Sequence, residues 1–259
     1  MSTYEEIKTV PKFGRLKPSE WGTIMPVHSP LSEKGPWYYR DTEAVIITYQ
    51  TDPETVLDFL PEDVELIEPA TAFMVIETNH WTTLGPYSEV YTAVLCKYQG
   101  EVMAYCNGVY VTGENSQILG REVYGFGKKQ AHRVELIKHQ NGEIEAIVEV
   151  TPGNIAAKAV MRPSKNESAE VLESLPLLVL KVVPDAEGGD KPSLAQLVSV
   201  LFKAEPHRGP DGKDEVYVGK GSLVCEASSD VGLPVLNVLD SKFCRFTADL
   251  PYGKILKTY

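Results

Sequence analysis

The sequence predicts a mainly β chain with short helices, an α+β protein whose antiparallel strands close into a barrel around a cavity. Three observations carry this. Short apolar, β-branched or alternating runs follow one another from Ala44 to Leu250, and only brief stretches carry helix signals. Turn residues such as Gln99-Gly100 and Asn141-Gly142 separate the runs at the spacing of meanders rather than βαβ units. A sheet of many short strands exposes its edges, and closure removes them. A barrel of this size can hold a small ligand in an apolar interior.

Taken in order, residues 1–36 read as an irregular segment rich in Pro, Lys and Ser. Ala44 to Tyr49 is a β-branched strand candidate. Thr51-Asp52-Pro53-Glu54 then offers an N-cap followed by Pro in the first turn, opening a short helix to about Leu60. Ala72–Glu77, Val90–Tyr98 and Val102–Thr112 read as strands. Arg133–His139 and Glu143–Val150 flank Asn141-Gly142, the strongest hairpin signal in the chain. Glutamates alternate with apolar residues in the second of these, leaving one face wet and one buried.

Pro163–Pro176 reads as a polar connection compatible with a short helix over Ser168–Leu175. Leu177–Val183 is a continuous apolar run, as in a fully buried strand. Ala186–Lys191 is a loop, and the periodicity of Leu194–Phe202 fits strand or helix. Glu205–Asp214 is a long turn, and Val216–Cys225 and Lys242–Leu250 are further strands. No internal repeat or composition break divides the chain, so one domain is expected over 1–259.

At 259 residues the chain can bury a sizeable core. A formal net charge of -11, with no basic cluster to overcome it, argues against nucleic acid and anionic membranes as partners. Cys96, Cys106, Cys225 and Cys244 show no C-x-x-C spacing and read as reduced core thiols. The N-terminal residues contain no apolar h-region, and no run approaches the ~18 apolar residues of a membrane span. A cytoplasmic protein is expected. The five histidines are scattered, none paired as H-x-x-x-H, so no metal site is indicated. Phosphate-loop and nucleophile-elbow patterns are absent.

One stretch carries chemistry: Gly120-Arg121-Glu122-Val123-Tyr124-Gly125-Phe126-Gly127-Lys128-Lys129-Gln130. It sets two lysines behind a glycine-rich aromatic run. Burial disfavours an ammonium and can pull a lysine well below its ordinary value of about 10.4. The neutral amine so produced attacks carbonyl carbon and forms a Schiff base.

Gly-Arg-Glu, an aromatic and Lys-Lys together resemble the signature of the acetoacetate decarboxylase family, itself the standard illustration of a lysine activated by desolvation or a neighbouring cation. Pro61-Glu62, Gly85-Pro86-Tyr87-Ser88-Glu89, Leu180-Lys181-Val182-Val183-Pro184 and Ala248-Asp249-Leu250-Pro251 extend the resemblance over nearly the whole chain. It implies a largely antiparallel barrel or cone with the lysine inside, and a homo-oligomer. It further implies that Lys128 is the nucleophile, Lys129 its cationic neighbour modulating its pKa, and Glu89 an active-site carboxylate. Tyr87, Tyr110 and Phe126 would line the substrate pocket.

The family's arginine before the first strand and second glutamate after Pro61 fall, by spacing, on Thr42 and Met74. Arg40 is the candidate substitute for the arginine; nothing obvious replaces the glutamate. Tyr252, after the terminal Leu-Pro, is a candidate acid or base. If Lys128 and Lys129 are extended, their side chains point to opposite faces, so burial rather than the charge of Lys129 is expected to activate Lys128.

The implied reaction begins with Lys128 condensing with a small oxo acid. It ends as decarboxylation of a 3-oxo acid, or as aldol condensation and dehydration of a 2-oxo acid such as pyruvate with an aldehyde. It needs no metal or organic cofactor. The alternative is a non-catalytic barrel binding a small apolar carbonyl ligand.

Overall fold

The computed structural model describes residues 12–172, 175–226 and 230–259; residues 1–11 of the irregular segment, and residues 173–174 of the helix expected over Ser168–Leu175, lie outside them, while its start forms one 3-10 turn, Ala169–Val171. The chain runs β1 (Trp37–Gln50), α1 (Pro53–Leu57), β2 (Glu65–Leu66), β3 (Thr71–Thr82), β4 (Tyr87–Tyr98), β5 (Glu101–Val111) and α2 (Glu114–Leu119). One π-helical turn, Gly120–Tyr124, leads to β6 (Lys128–Gln130), β7 (Arg133–Lys138), β8 (Ile144–Thr151) and β9 (Asn154–Glu167). Then come β10 (Leu177–Val183), β11 (Leu194–Val200), β12 (Lys203–Pro206), β13 (Val216–Cys225), β14 (Asn237–Leu250) and β15 (Lys254–Thr258).

The chain is thus mainly β with a few short helices, as the residue pattern predicts. Asp52 caps α1 through the Thr55 amide, with Pro53 in the first turn, and the two hairpin signals turn with Gly100 and Gly142 at positive φ. Leu194–Phe202 resolves as strand. β2, β9, β12 and β15 are additional. β12 takes in the first two residues of the turn expected over Glu205–Asp214, and β9 extends the sheet through Pro163–Glu167, where a polar connection is expected. Its backbone pairs with β13, and that tertiary pairing outweighs its polar composition.

All the strands belong to one sheet, ordered β15-β11-β10-β5-β4-β3-β1-β14-β13-β9-β8-β7, with β2, β6 and β12 as side branches. Its pairs are antiparallel except β10 and β6, which run parallel to β5. The expected closed barrel is not formed by this ladder: its two ends, β15 and β7, are not paired with each other. A long sheet must twist and curl, and here β7 comes back over β3 and β4 face to face. Burial between layers replaces hydrogen bonding around a ring.

Strand alternation separates two faces. Val45, Ile47, Tyr49, Ala72, Met74, Ile76, Val90 and Val94 enter the main core with β7, β8 and β9. The intervening residues Ile46, Thr48, Phe73, Val75, Glu77, Glu89, Tyr91 and Leu95 line a cavity on the opposite face. No helix among the described residues is long and apolar enough to cross a membrane.

Candidate active site

The lysine stretch folds as helix, one wide turn and a short strand. α2 runs directly into the π-helical turn, a feature frequent at functional sites, and Gly125 at φ 90 ends it. Any Cβ at Gly125 would sit 2.3 Å from Cβ of Lys181, so both space and conformation demand glycine. β6 then starts at Lys128 beside Val109 of β5. The aliphatic stem of Lys128 crosses Gly120 so closely that a Cβ there would lie 2.7 Å from its Cδ and Cε.

Lys128 is buried, with 7% of its surface exposed. Its Nζ donates to Glu89 Oε2 at 2.7 Å and to Ser116 Oγ at 2.8 Å. The rings of Tyr87 and Phe126 lie 5.6 and 5.9 Å from it, within the range of cation–π attraction. Arg121 and Gln117 donate to the Lys128 carbonyl, tying the backbone to the helical turn.

Glu77 of β3 is the cross-strand partner of Glu89, which places two buried carboxyl groups side by side. Burial first, and then the charge of Glu89, pushes the Glu77 carboxyl up to about 8, so it holds a proton at neutral pH. Asn79 Nδ2 donates to Glu77 Oε1 at 2.9 Å, and Thr42 Oγ1 donates to Asn79 Oδ1 at 2.7 Å. Tyr39 and Tyr87 meet hydroxyl to hydroxyl at 3.1 Å, and burial raises both phenols above their ordinary value.

Two adjacent spaces share walls here. A tight chamber of about 20 Å³, room for about one water, is bounded by Lys128, Glu89, Ser116, Phe126 and Tyr39. A cavity of about 430 Å³ lies next to it and includes Glu77, Asn79 and again Glu89 and Tyr39 in its walls.

The structure therefore brings together Lys128, Glu89, Tyr87 and Phe126. It does not bring four other residues to the amine. Arg40 points outward, bonded to Asp249 and to the carbonyls of Tyr39 and Ala248. A bulge in β1 around Arg40 and Asp41 is the reason: it turns both Tyr39 and Thr42 inward and leaves Arg40 outside. Tyr252 is 49% exposed, packs edge-on against Trp37 and accepts a hydrogen bond from the Gly35 amide. Tyr110 lies in the main core on the other face and donates to Asp230.

Lys129 follows strand alternation to the far side of β6. Its ammonium pairs with Asp230 and lies over the Tyr110 ring, and the bond to Asp230 raises its pKa. A Lys129→Gln variant should accordingly form the Lys128 adduct at a rate within about threefold of wild type, since the exposed pair it breaks contributes only about 0–1 kcal/mol. A loss of a hundredfold in borohydride trapping would show instead that this charge acts on Lys128.

Three residues at the site were not read from the sequence: Glu77, Ser116 and Tyr39. Residue counting from Pro61 points to Met74, which the structure buries in the main core. The signal for Glu77 was the pairing of β3 with β4 about the Thr83–Pro86 turn, which sets Glu77 against Glu89. Ser116 carried none, because α2 was not foreseen.

Comparison with known proteins matches this architecture. A profile of the acetoacetate decarboxylase family fits residues 24–259. The acetoacetate decarboxylase 1 of Bradyrhizobium diazoefficiens is 30% identical over 242 residues, covering 88% of this chain and 89% of its own. A solved structure of acetoacetate decarboxylase superposes with a TM-score of 0.83 at 22% identity, over 94% of this chain and 99% of the other. The enduracididine biosynthesis enzyme MppR, solved with pyruvate, has the same fold, with a TM-score of 0.74 at 19% identity over 91% of this chain and 97% of its own. A match this complete, with the lysine motif folded into a buried site, means that the chain belongs to the acetoacetate decarboxylase family.

Proposed function

We propose that this chain is an acetoacetate decarboxylase-like lyase that binds a small oxo acid as a Schiff base on Lys128. The observation that supports it most is the buried pair of Lys128 and Glu89, 2.7 Å apart, beside a cavity large enough for substrate. In this reading Glu89 takes a proton from the Lys128 ammonium, and the freed nitrogen adds to the ketone carbon. The carbonyl oxygen takes the proton of Glu77, and the nitrogen gives its surplus proton back to the Glu77 carboxylate, leaving a neutral carbinolamine. Return of the proton held by Glu89 lets that oxygen leave as water, and the C=N⁺ bond forms. Ser116 holds the nitrogen in place through its hydroxyl.

The iminium then acts as an electron sink. Loss of CO2 from a 3-oxo acid, or of a proton from the neighbouring carbon of a 2-oxo acid, gives the enamine. Protonation at carbon completes a decarboxylation; addition to an aldehyde and loss of water completes an aldol-type condensation. Hydrolysis returns Lys128. Relatives named acetoacetate decarboxylase favour the first course, and MppR, solved with pyruvate, keeps the second open. One domain, a homo-oligomeric assembly and a cytoplasmic setting complete the proposal.

Borohydride reduction in the presence of acetoacetate or pyruvate tests it. A mass increase confined to the peptide containing Lys128 is expected. Its absence across a range of oxo acids would favour a non-catalytic ligand-binding protein. Release of CO2 from acetoacetate then separates decarboxylase from aldolase-dehydratase.

A further inference from the structure

Resting on the Schiff-base reading above, we infer that the oxo acid taken by this chain carries an apolar tail, a chain or ring of several carbons, that lies in the groove beside the lysine chamber. The groove, about 430 Å³, falls in the range of about 300–1,000 Å³ typical of pockets for drug-sized ligands. Four-carbon acetoacetate would leave most of it to water. Groove and chamber share the walls Tyr39, Glu89, Tyr91, Leu177 and Phe202, so the groove lies directly beside a molecule held at Lys128.

The groove also has the right chemistry. Beyond the two glutamates its walls include Ile46, Phe73, Val75, Leu95 and Phe246. The titratable groups there are neutralised: Asp240 and Lys242 pair with each other, and burial pushes the Cys244 thiol up to about 12. At the reacting end, no cation other than Lys128 lines the chamber among the described residues. A carboxylate there has no second positive group to grip it, so affinity must be drawn from the remote part of the substrate. Burying a tail supplies it, at up to about fourfold per methylene.

The test is borohydride trapping on Lys128 with matched series: acetoacetate, 3-oxohexanoate and 3-oxooctanoate, and pyruvate, 2-oxohexanoate and 2-oxooctanoate. In at least one series, the concentration giving half-maximal adduct should fall about tenfold or more from the shortest member to the longest. Thr48→Phe in the groove floor, and independently Ala204→Trp on edge strand β12, should bring that ratio back towards one. Equal trapping along both series, as when a second copy or the chain's own N-terminal residues fill the groove, overturns the inference and leaves the Schiff-base reading standing. So does a length preference that neither variant reduces. Absence of any adduct overturns both.

Discussion

A Lys128→Met variant should give no borohydride adduct with any oxo acid and lose on the order of 10⁴–10⁶-fold in turnover, the scale seen when a covalent nucleophile is removed. Methionine fills the stem's place across Gly120, so the loss reads the amine rather than a cavity. It will also unfold more readily. Lys128 and Glu89 are both more than nine-tenths buried, and removing one partner of such a pair costs about 3–5 kcal/mol, because the other charge is left uncompensated. Lys128→Met with Glu89→Gln removes both charges and should recover much of that stability in urea titration without recovering activity. If the double variant trapped substrate, the nucleophile would have to be sought elsewhere.

Lys128 and Glu89 were legible because their signals are local: a lysine behind Gly-Phe-Gly, and a glutamate closing Gly-Pro-Tyr-Ser. Phe126 and Tyr87 came with them for the same reason. Other features depended on partners far away in the chain. Glu77 is an unremarkable carboxylate until the register of β3 against β4 sets it opposite Glu89. Arg40 fails to reach the site because of a bulge that no glycine or proline announces. The strands themselves were visible as alternation, yet whether their ends met was not, since closure depends on the accumulated twist of the whole sheet. β9 was hidden in part because the half after Pro163 is polar and held by pairing with β13 rather than by a buried face.

The second large effect is expected in the pH dependence. With its carboxyl pushed up to about 8 by burial and by Glu89, Glu77 can donate a proton at neutral pH, and that capacity is lost as it ionises. The kcat/KM of the wild type should therefore fall about tenfold per unit above pH 8. Glu77→Gln keeps the shape and the Asn79 bond but has no proton to give. It should lose about 10²–10⁴-fold at pH 7 and lose the alkaline limb as well.

Stability should move in the same window. An ordinary glutamate in the unfolded chain titrates near 4.5, so between about 4.5 and 8 the folded protein binds more protons at this residue than the unfolded one. The stability that protonated Glu77 contributes is present below 4.5, falls as pH rises towards 8 and changes no further above it. The glutamine variant removes that decline, so urea midpoints at pH 5 and pH 9 should differ less in the variant than in the wild type. Identical differences in the two proteins, or an alkaline limb that survives in Glu77→Gln, would assign the proton to another group.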